Sequence, residues 1–129
     1  MKSKPDLPRY PANWGVRFLC DCKKLNKAIN IHKGIAHEIS SNSVSILSDH
    51  HICQQRKVAM HVMIPSLLSD APQKIVKIIG NSGGTILKEG MYLTEIELLH
   101  FEEDGLEVLE KNLRQHFDPL VCEQLTQQA

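Results

Sequence analysis

The sequence predicts a mostly β protein, a small antiparallel barrel or sandwich with one helix at its C-terminal end. Three observations support this fold class. Apolar residues alternate with polar ones over several short segments between residues 14 and 101, the period-two pattern of half-buried strands. Turn-forming residues separate these segments. After residue 105 the apolar spacing becomes three and four, which is typical of an amphipathic helix.

The first strand is predicted to follow a stiff N-terminal arm. Prolines recur at every third position of this arm: Pro5, Pro8 and Pro11. Because proline favours an extended backbone, residues 1–13 are expected to be extended rather than helical. From Trp14 to Cys22 alternate residues are apolar, which predicts the first strand, and residues 23–30 form a charged connection. With 129 residues, the chain is expected to hold one barrel domain with its closing helix over residues 14–129.

Three further strands are predicted before residue 65. Alternation from Ile31 to Ile39 predicts the second strand, and the polar residues 40–43 predict a turn. Residues 44–47 form a short third strand, and residues 48–56 a polar loop. One face of the fourth strand carries an apolar residue at every second position: Val58, Met60, Val62 and Ile64. Pro65 ends this strand, because proline has no N–H to donate to a ladder.

The last part of the chain is predicted to hold two strands and then helical structure. Residues 73–80 predict the fifth strand, residues 81–84 a reversal rich in residues that tolerate positive φ, and residues 91–101 another strand. An apolar stripe at helical spacing follows: Leu106, Leu109, Leu113 and Phe117. This stripe is expected to pack on the barrel wall, and residues 119–125 to form a short second helical segment.

Formal charge is balanced over the whole chain but unevenly distributed along it. Residues 1–34 carry eight lysines and arginines against two acids, a local charge of +6, and residues 95–129 carry two against nine, a local charge of −7. The basic part favours a phosphate-bearing ligand or an acidic partner, or else the two ends neutralise each other in the fold. The net charge of zero argues against duplex nucleic acid as a partner.

The composition predicts a cytoplasmic protein. No apolar run approaches the roughly 20 residues that span a bilayer, and residues 1–10 lack the apolar stretch of a secretory signal. The four cysteines are therefore expected to be thiols: Cys20, Cys22, Cys53 and Cys122.

Neither catalysis nor a bound metal or cofactor is predicted. No Ser-His-Asp or Cys-His grouping is suggested by position. Residues 80–85 lack the Lys-Ser/Thr pair of a phosphate loop, so a hairpin turn is favoured there. Cys20 and Cys22 lack a second pair at zinc-finger spacing, and nothing identifies a third or fourth ligand for a metal held by the loop residues His50, His51 and Cys53. A metal-binding module therefore stays a third, weaker alternative.

One arrangement of residues resembles a known family. Arg9 precedes the first strand, and the segment Glu38–Ser43 (Glu-Ile-Ser-Ser-Asn-Ser) follows the second. Together with the late strand Tyr92–Leu98 and the helix from Leu106, this order resembles the PilZ domain, a bacterial module best known for binding cyclic di-GMP. The resemblance covers roughly residues 9–117 and implies a small antiparallel β-barrel with a C-terminal helix.

The resemblance also implies a set of ligand-binding residues. In the family an Arg-x-x-x-Arg segment precedes the first strand, and an Asp/Asn-x-Ser-x-x-Gly turn follows the second. Arg9 matches the first arginine and Ser40 the serine, whereas Asn13, Glu38 and Ser43 stand at positions where the family has other residues. With Arg17 as a further candidate cation, the implied set is Arg9, Asn13, Arg17, Glu38, Ser40 and Ser43. A missing arginine fork costs about 1.5–3 kcal/mol of binding.

Two functions follow from the resemblance. The first is a signalling receptor or effector that binds cyclic di-GMP through an incomplete motif. The alternative is an adaptor that does not bind the nucleotide and acts through protein contacts in the regulation of type IV pili or motility. Nucleotide binding requires the arginine arm and the serine-rich turn to be neighbours on one side of a closed sheet.

Overall fold

The computed structural model describes residues 9–20, 31–67 and 72–117, which form a closed antiparallel barrel and one helix. The elements are β1 (Trp14–Cys20), β2 (His32–Ile39), β3 (Ser43–Ser48), β4 (Lys57–Ile64), β5 (Lys74–Lys88), β6 (Met91–Phe101) and α1 (Gly105–Phe117). The order of strands around the barrel is β1-β2-β3-β6-β5-β4. The predicted mostly β fold with a C-terminal helix is therefore confirmed, as a barrel rather than a sandwich.

The barrel interior is filled by the alternate apolar residues of the strands. In β4 the four residues of the predicted apolar face are at most 1% exposed. Across the seam that closes the barrel, Val16 of β1 lies opposite Val62 of β4, and Phe18 lies opposite Met60. Burying each such side chain contributes roughly 1.5–3 kcal/mol, so the core follows directly from the period-two pattern.

Helix α1 packs against the barrel, as the apolar stripe predicts. Leu109 and Leu113 are buried. The ring of Phe117 at the end of the helix stacks on that of Tyr10 with centroids 5.6 Å apart and lies 6.0 Å from that of Trp14. Leu106 departs from the prediction, because it is 40% exposed. No helix in the described ranges is long and apolar enough to cross a membrane.

The predicted reversal at residues 81–84 is wrong, because β5 continues through this segment to Lys88. Gly80 passes so close to β6 that a Cβ there would lie 2.5 Å from the carbonyl oxygen of Glu97. The backbone of Ser82 pairs with the preceding loop, since its N–H donates to the carbonyl of Arg56 at 2.9 Å. The chain reverses instead at Glu89 and Gly90, which have φ of 53° and 82°. Glycine in this segment lets β5 approach β6 closely, and serine forms hydrogen bonds to the loop before β4.

The second strand is present, but its two faces are not continuous. Ile35 is 40% exposed whereas Ile39 is fully buried, and Ile31 lies outside β2. The register between β2 and β3 shifts between Ala36 and Glu38, so a β-bulge moves the later residues to the other face. Cys22, the connection at residues 23–30 and the helical segment at residues 119–125 lie outside the described residues.

Candidate functional site

The arm and the turn between β2 and β3 are neighbours. The N–H of Tyr10 donates to the carbonyl of Ile39 at 2.9 Å, and the N–H of Ile39 donates to the carbonyl of Tyr10 at 3.0 Å. This antiparallel bridge places Arg9, which precedes Tyr10, beside Ser40, which follows Ile39. We call the resulting group of Arg9, Glu38, Ser40, Ser43 and Glu95 the arm–turn corner. It brings together four of the six residues that the resemblance implies.

Arg9 is already paired within this corner. Its two terminal nitrogens donate to the two carboxylate oxygens of Glu95, at 2.6 and 3.2 Å. The carboxylate of Glu38 lies 4.0 Å from the same guanidinium. All three side chains are partly exposed, Arg9 by 33%. One cation therefore stands between two carboxylates, and these three side chains carry a net charge of −1.

The two carboxylates meet because of how the strands pair. Glu38 of β2 lies opposite Ser45 of β3, and Ser45 lies opposite Glu95 of β6. The bulge in β2 sets this register, since the shift falls directly before Glu38. Glu38, Ser45 and Glu95 thus form a row across three strands, and Arg9 contacts both of its ends. The central Ser45 is buried.

Ser40 has a local structural role in the turn. Its side chain is 1% exposed, and its hydroxyl oxygen accepts from the backbone N–H groups of Asn42 and Ser43, at 3.3 and 3.2 Å. The hydroxyl proton is donated to Oδ1 of Asn42 at 2.8 Å. Ser43, at the family's glycine position, begins β3 without a positive φ. The turn is therefore closed by its own side chains.

Asn13 stands where the family has its second arginine and takes a left-handed backbone conformation with φ of 52°. Asparagine tolerates this region better than most residues. Its Oδ1 lies 3.2 Å from Nδ1 of His37, the residue at the β2 bulge. Asn13 thus turns the arm into β1.

Arg17 is not part of the corner. It lies on the outer face of β1, opposite Lys33 on β2 and His61 on β4. Three residues of strand, roughly 10 Å, separate it from Trp14, where β1 begins.

Glu95 is a site residue that was not predicted, because in the sequence it is only one of the nine acids in residues 95–129. Glu95 lies 86 positions from Arg9, and only the pairing of β3 with β6 brings the two together. No local pattern around Glu95 signals this contact. In the sequence, this role is indicated only by the position of Glu95 on the outward face of a predicted strand.

The cysteines and histidines also come partly together. Sγ of Cys20 lies 3.3 Å from Nε2 of His50, and the ring of His50 stacks on that of His32 with centroids 3.6 Å apart. Within the described ranges, no group of three or more potential ligands is arranged to hold a metal ion.

The six-stranded barrel with its terminal helix has the fold that the PilZ resemblance implies, and comparison with a solved structure supports this fold. The chain is similar to the Bacillus subtilis inhibitor of motility (MotI/DgrA), with a TM-score of 0.64 and 10% sequence identity. The match covers 86% of this chain and 50% of that protein, so this chain spans about half of its length. At this identity the similarity shows the fold alone. No family model and no curated protein matches the sequence.

Proposed function

We propose that this chain is a PilZ-like signalling module that acts through protein contacts, without cyclic di-GMP. The observation that carries the proposal is the bidentate pairing of Arg9 with Glu95. Arg9 is the one arginine of the PilZ arginine motif that this chain retains, and the resemblance implies that it would bind the nucleotide. Here both of its terminal nitrogens are bound to a carboxylate of the same chain.

Electrostatics at the corner disfavours a phosphate ligand. A cyclic dinucleotide carries two phosphates, and to reach Arg9 it has to displace Glu95 and lie near Glu38. Both carboxylates then face the anionic phosphates at close range, and this repulsion weakens binding of the nucleotide. The absent second arginine removes a further 1.5–3 kcal/mol or so, about ten- to a hundredfold in affinity.

The fold comparison supports a regulatory rather than a catalytic role for this module. A solved structure with a similar fold is named as an inhibitor of motility. By analogy, the proposal places this chain in the regulation of motility or type IV pili in the cytoplasm, with a protein as its partner.

A receptor for cyclic di-GMP is the second candidate function. This function is favoured by the position of Arg9 beside the turn at Ser40, because these are the two places where the family carries its ligand-binding motifs. In that case the nucleotide competes with Glu95 for the guanidinium, and the arm is reorganised on binding.

Titration calorimetry with cyclic di-GMP separates the two candidates. We expect no heat of binding for the unmodified protein up to high micromolar ligand. The variant Glu95→Gln releases Arg9 from its ion pair and is expected to bind more tightly than the parent. Glu89→Gln, an exposed acid in the hairpin between β5 and β6, removes the same charge away from the corner and serves as the control.

Micromolar binding by the unmodified protein would overturn the proposal and establish the receptor. Equal gains for Glu95→Gln and Glu89→Gln would show that overall charge matters and that the Arg9 pair does not.

A further inference from the structure

A row of basic side chains crosses four strands on the outside of the barrel. Arg17 of β1 lies opposite Lys33 of β2 on one side and His61 of β4 on the other, and His61 lies opposite Lys77 of β5. All four side chains are exposed or partly exposed. Adjacent strands lie about 4.8 Å apart, so the row extends over roughly 14 Å. We call these four residues the basic row.

The pairing of Arg17 with Lys33 within the basic row is unfavourable for the isolated barrel. Like charges placed directly opposite each other on paired strands destabilise a sheet. Each member of the row also lacks an ion pair with any residue in the described part of the chain. The outward neighbours on either side of the row in β1, β2, β4 and β5 include no carboxylate: Gly15, Leu19, Ile35, Ala59, Met63, Ile75 and Ile79. The carboxylates nearest to the row lie instead in the turn after β6.

An acidic surface lies directly beside the basic row. The turn after β6 and the first turn of α1 carry four exposed acids, which we call the acidic edge: Glu102, Glu103, Asp104 and Glu107. Ile75 and Lys77 line the same depression, of about 60 Å³, as Glu102, Glu103 and Asp104. The N–H of Glu102 donates to the carbonyl of Lys77 at 3.0 Å. The two surfaces of opposite charge therefore share a border.

The side chains of the two surfaces form no ion pairs with each other within one molecule. None of the four acids makes an ion pair with a residue that the structure describes. Two apolar side chains near the border are also exposed, Ile75 by 53% and Leu106 by 40%. The border therefore carries positively and negatively charged side chains together with exposed apolar side chains.

We propose that this border is the contact surface for a second copy of the chain, in a two-fold symmetric dimer. A two-fold axis at the border places the basic row of each copy against the acidic edge of the other. Ile75 and Leu106 then lie near the axis, where their apolar area leaves water. A second copy is the occupant because one chain carries both complementary surfaces side by side. This proposal is independent of the proposed function, since it uses no residue of the arm–turn corner.

Sedimentation velocity on the full chain tests the dimer. We expect concentration-dependent dimerisation at about 50 mM salt that weakens at about 500 mM, where screening shortens the reach of the charges. The reversals Arg17→Glu with Lys77→Glu, and separately Glu103→Lys with Glu107→Lys, should each raise the dissociation constant about tenfold or more. Lys88→Glu, an exposed charge reversal in the β5–β6 hairpin, is the control and should leave it unchanged.

Mixing the two double variants provides the decisive measurement. In a two-fold pair both contacts regain opposite charges, so an equimolar mixture should form a 1:1 heterodimer although neither variant pairs with itself. Far-ultraviolet circular dichroism checks that each variant is folded.

A protein that stays monomeric at low salt, or a dimer indifferent to both double variants, would overturn the proposal. A monomer that co-sediments with phosphatidylglycerol vesicles through Arg17 and Lys77 would also overturn it, and would assign the basic row to anionic lipid.

Discussion

The arm–turn corner and the basic row both present arginine on the outer surface of one barrel, yet their surroundings are opposite. Arg9 is held by both oxygens of Glu95 and lies near Glu38. Arg17 has Lys33 and His61 as its cross-strand neighbours and makes no ion pair with a described residue. The difference shows that the residues on the neighbouring strands decide whether a surface cation is already paired. Arg9, which matches the family motif, is paired within the chain, whereas Arg17 makes no ion pair with a described residue and can bind a partner.

The largest effect on the corner is expected from Ser40→Ala. The substitution leaves the partly buried N–H groups of Asn42 and Ser43 without their acceptor, which should lower the free energy of unfolding by about 1–3 kcal/mol. Urea denaturation measures the change. A loss no larger than that of Ser41→Ala, a substitution at a partly exposed serine of the same turn, would show that the Ser40 hydroxyl does not hold the turn.

Asn13 is expected to matter through its backbone. Asn13→Ala should cost about 1 kcal/mol of stability, because alanine tolerates a φ of 52° less well than asparagine. Asn13→Gly, which accepts this conformation, should cost clearly less in the same denaturation experiment. If glycine proved the more harmful substitution, the bond to His37 would be the important feature instead.

A smaller effect is expected from Arg9→Ala. Its ion pair with Glu95 is partly exposed, so its removal should lower the free energy of unfolding by roughly 0.2–1 kcal/mol. Val62→Ala removes buried apolar volume and should cost about 2 kcal/mol, which makes it the reference for core damage. Equal shifts in melting temperature for the two variants would mean that Arg9 supports the barrel itself, and the contrast with the basic row would fail.

The smallest effect is expected from Arg17→Ala. Removing this charge relieves repulsion from Lys33, so stability should stay within about 0.5 kcal/mol of the parent or rise slightly. The comparison is made by chemical denaturation at about 1 µM protein, where association contributes little. A loss of stability comparable to that of Arg9→Ala would show that Arg17 has an unrecognised partner within the chain.

Local pattern was sufficient for the elements whose environment is uniform along their length. The fourth strand is bounded by Pro65 and has one continuous apolar face, and β6 covers the predicted residues 91–101. The serine and asparagine residues 40–43, the last of which begins β3, form the expected turn. In each case the signal depends only on neighbours in the sequence, so periodicity and turn chemistry predict it.

Prediction from local pattern was wrong where contact with a distant segment changes the structural role of a residue. Glycine and serine at residues 80–84 are ordinary turn formers, but here they allow β5 to approach β6 closely and to bond the loop before β4. The bulge before Glu38 likewise reverses which residues of β2 face the core. Both depend on strand register, which no single segment encodes.

By itself the amino-acid sequence determined the fold class of this protein, a mostly β domain with a packed C-terminal helix, and an order of arginine arm and serine turn that resembles the PilZ domain. Its tertiary structure alone decided which charges meet, because pairing between strands far apart in the chain places Glu95 on Arg9 and aligns Arg17 with Lys33 and His61. Charge–charge interaction weakens with separation and is largely screened beyond about 10 Å at 0.1 M salt, so it is set by distance in space rather than along the chain.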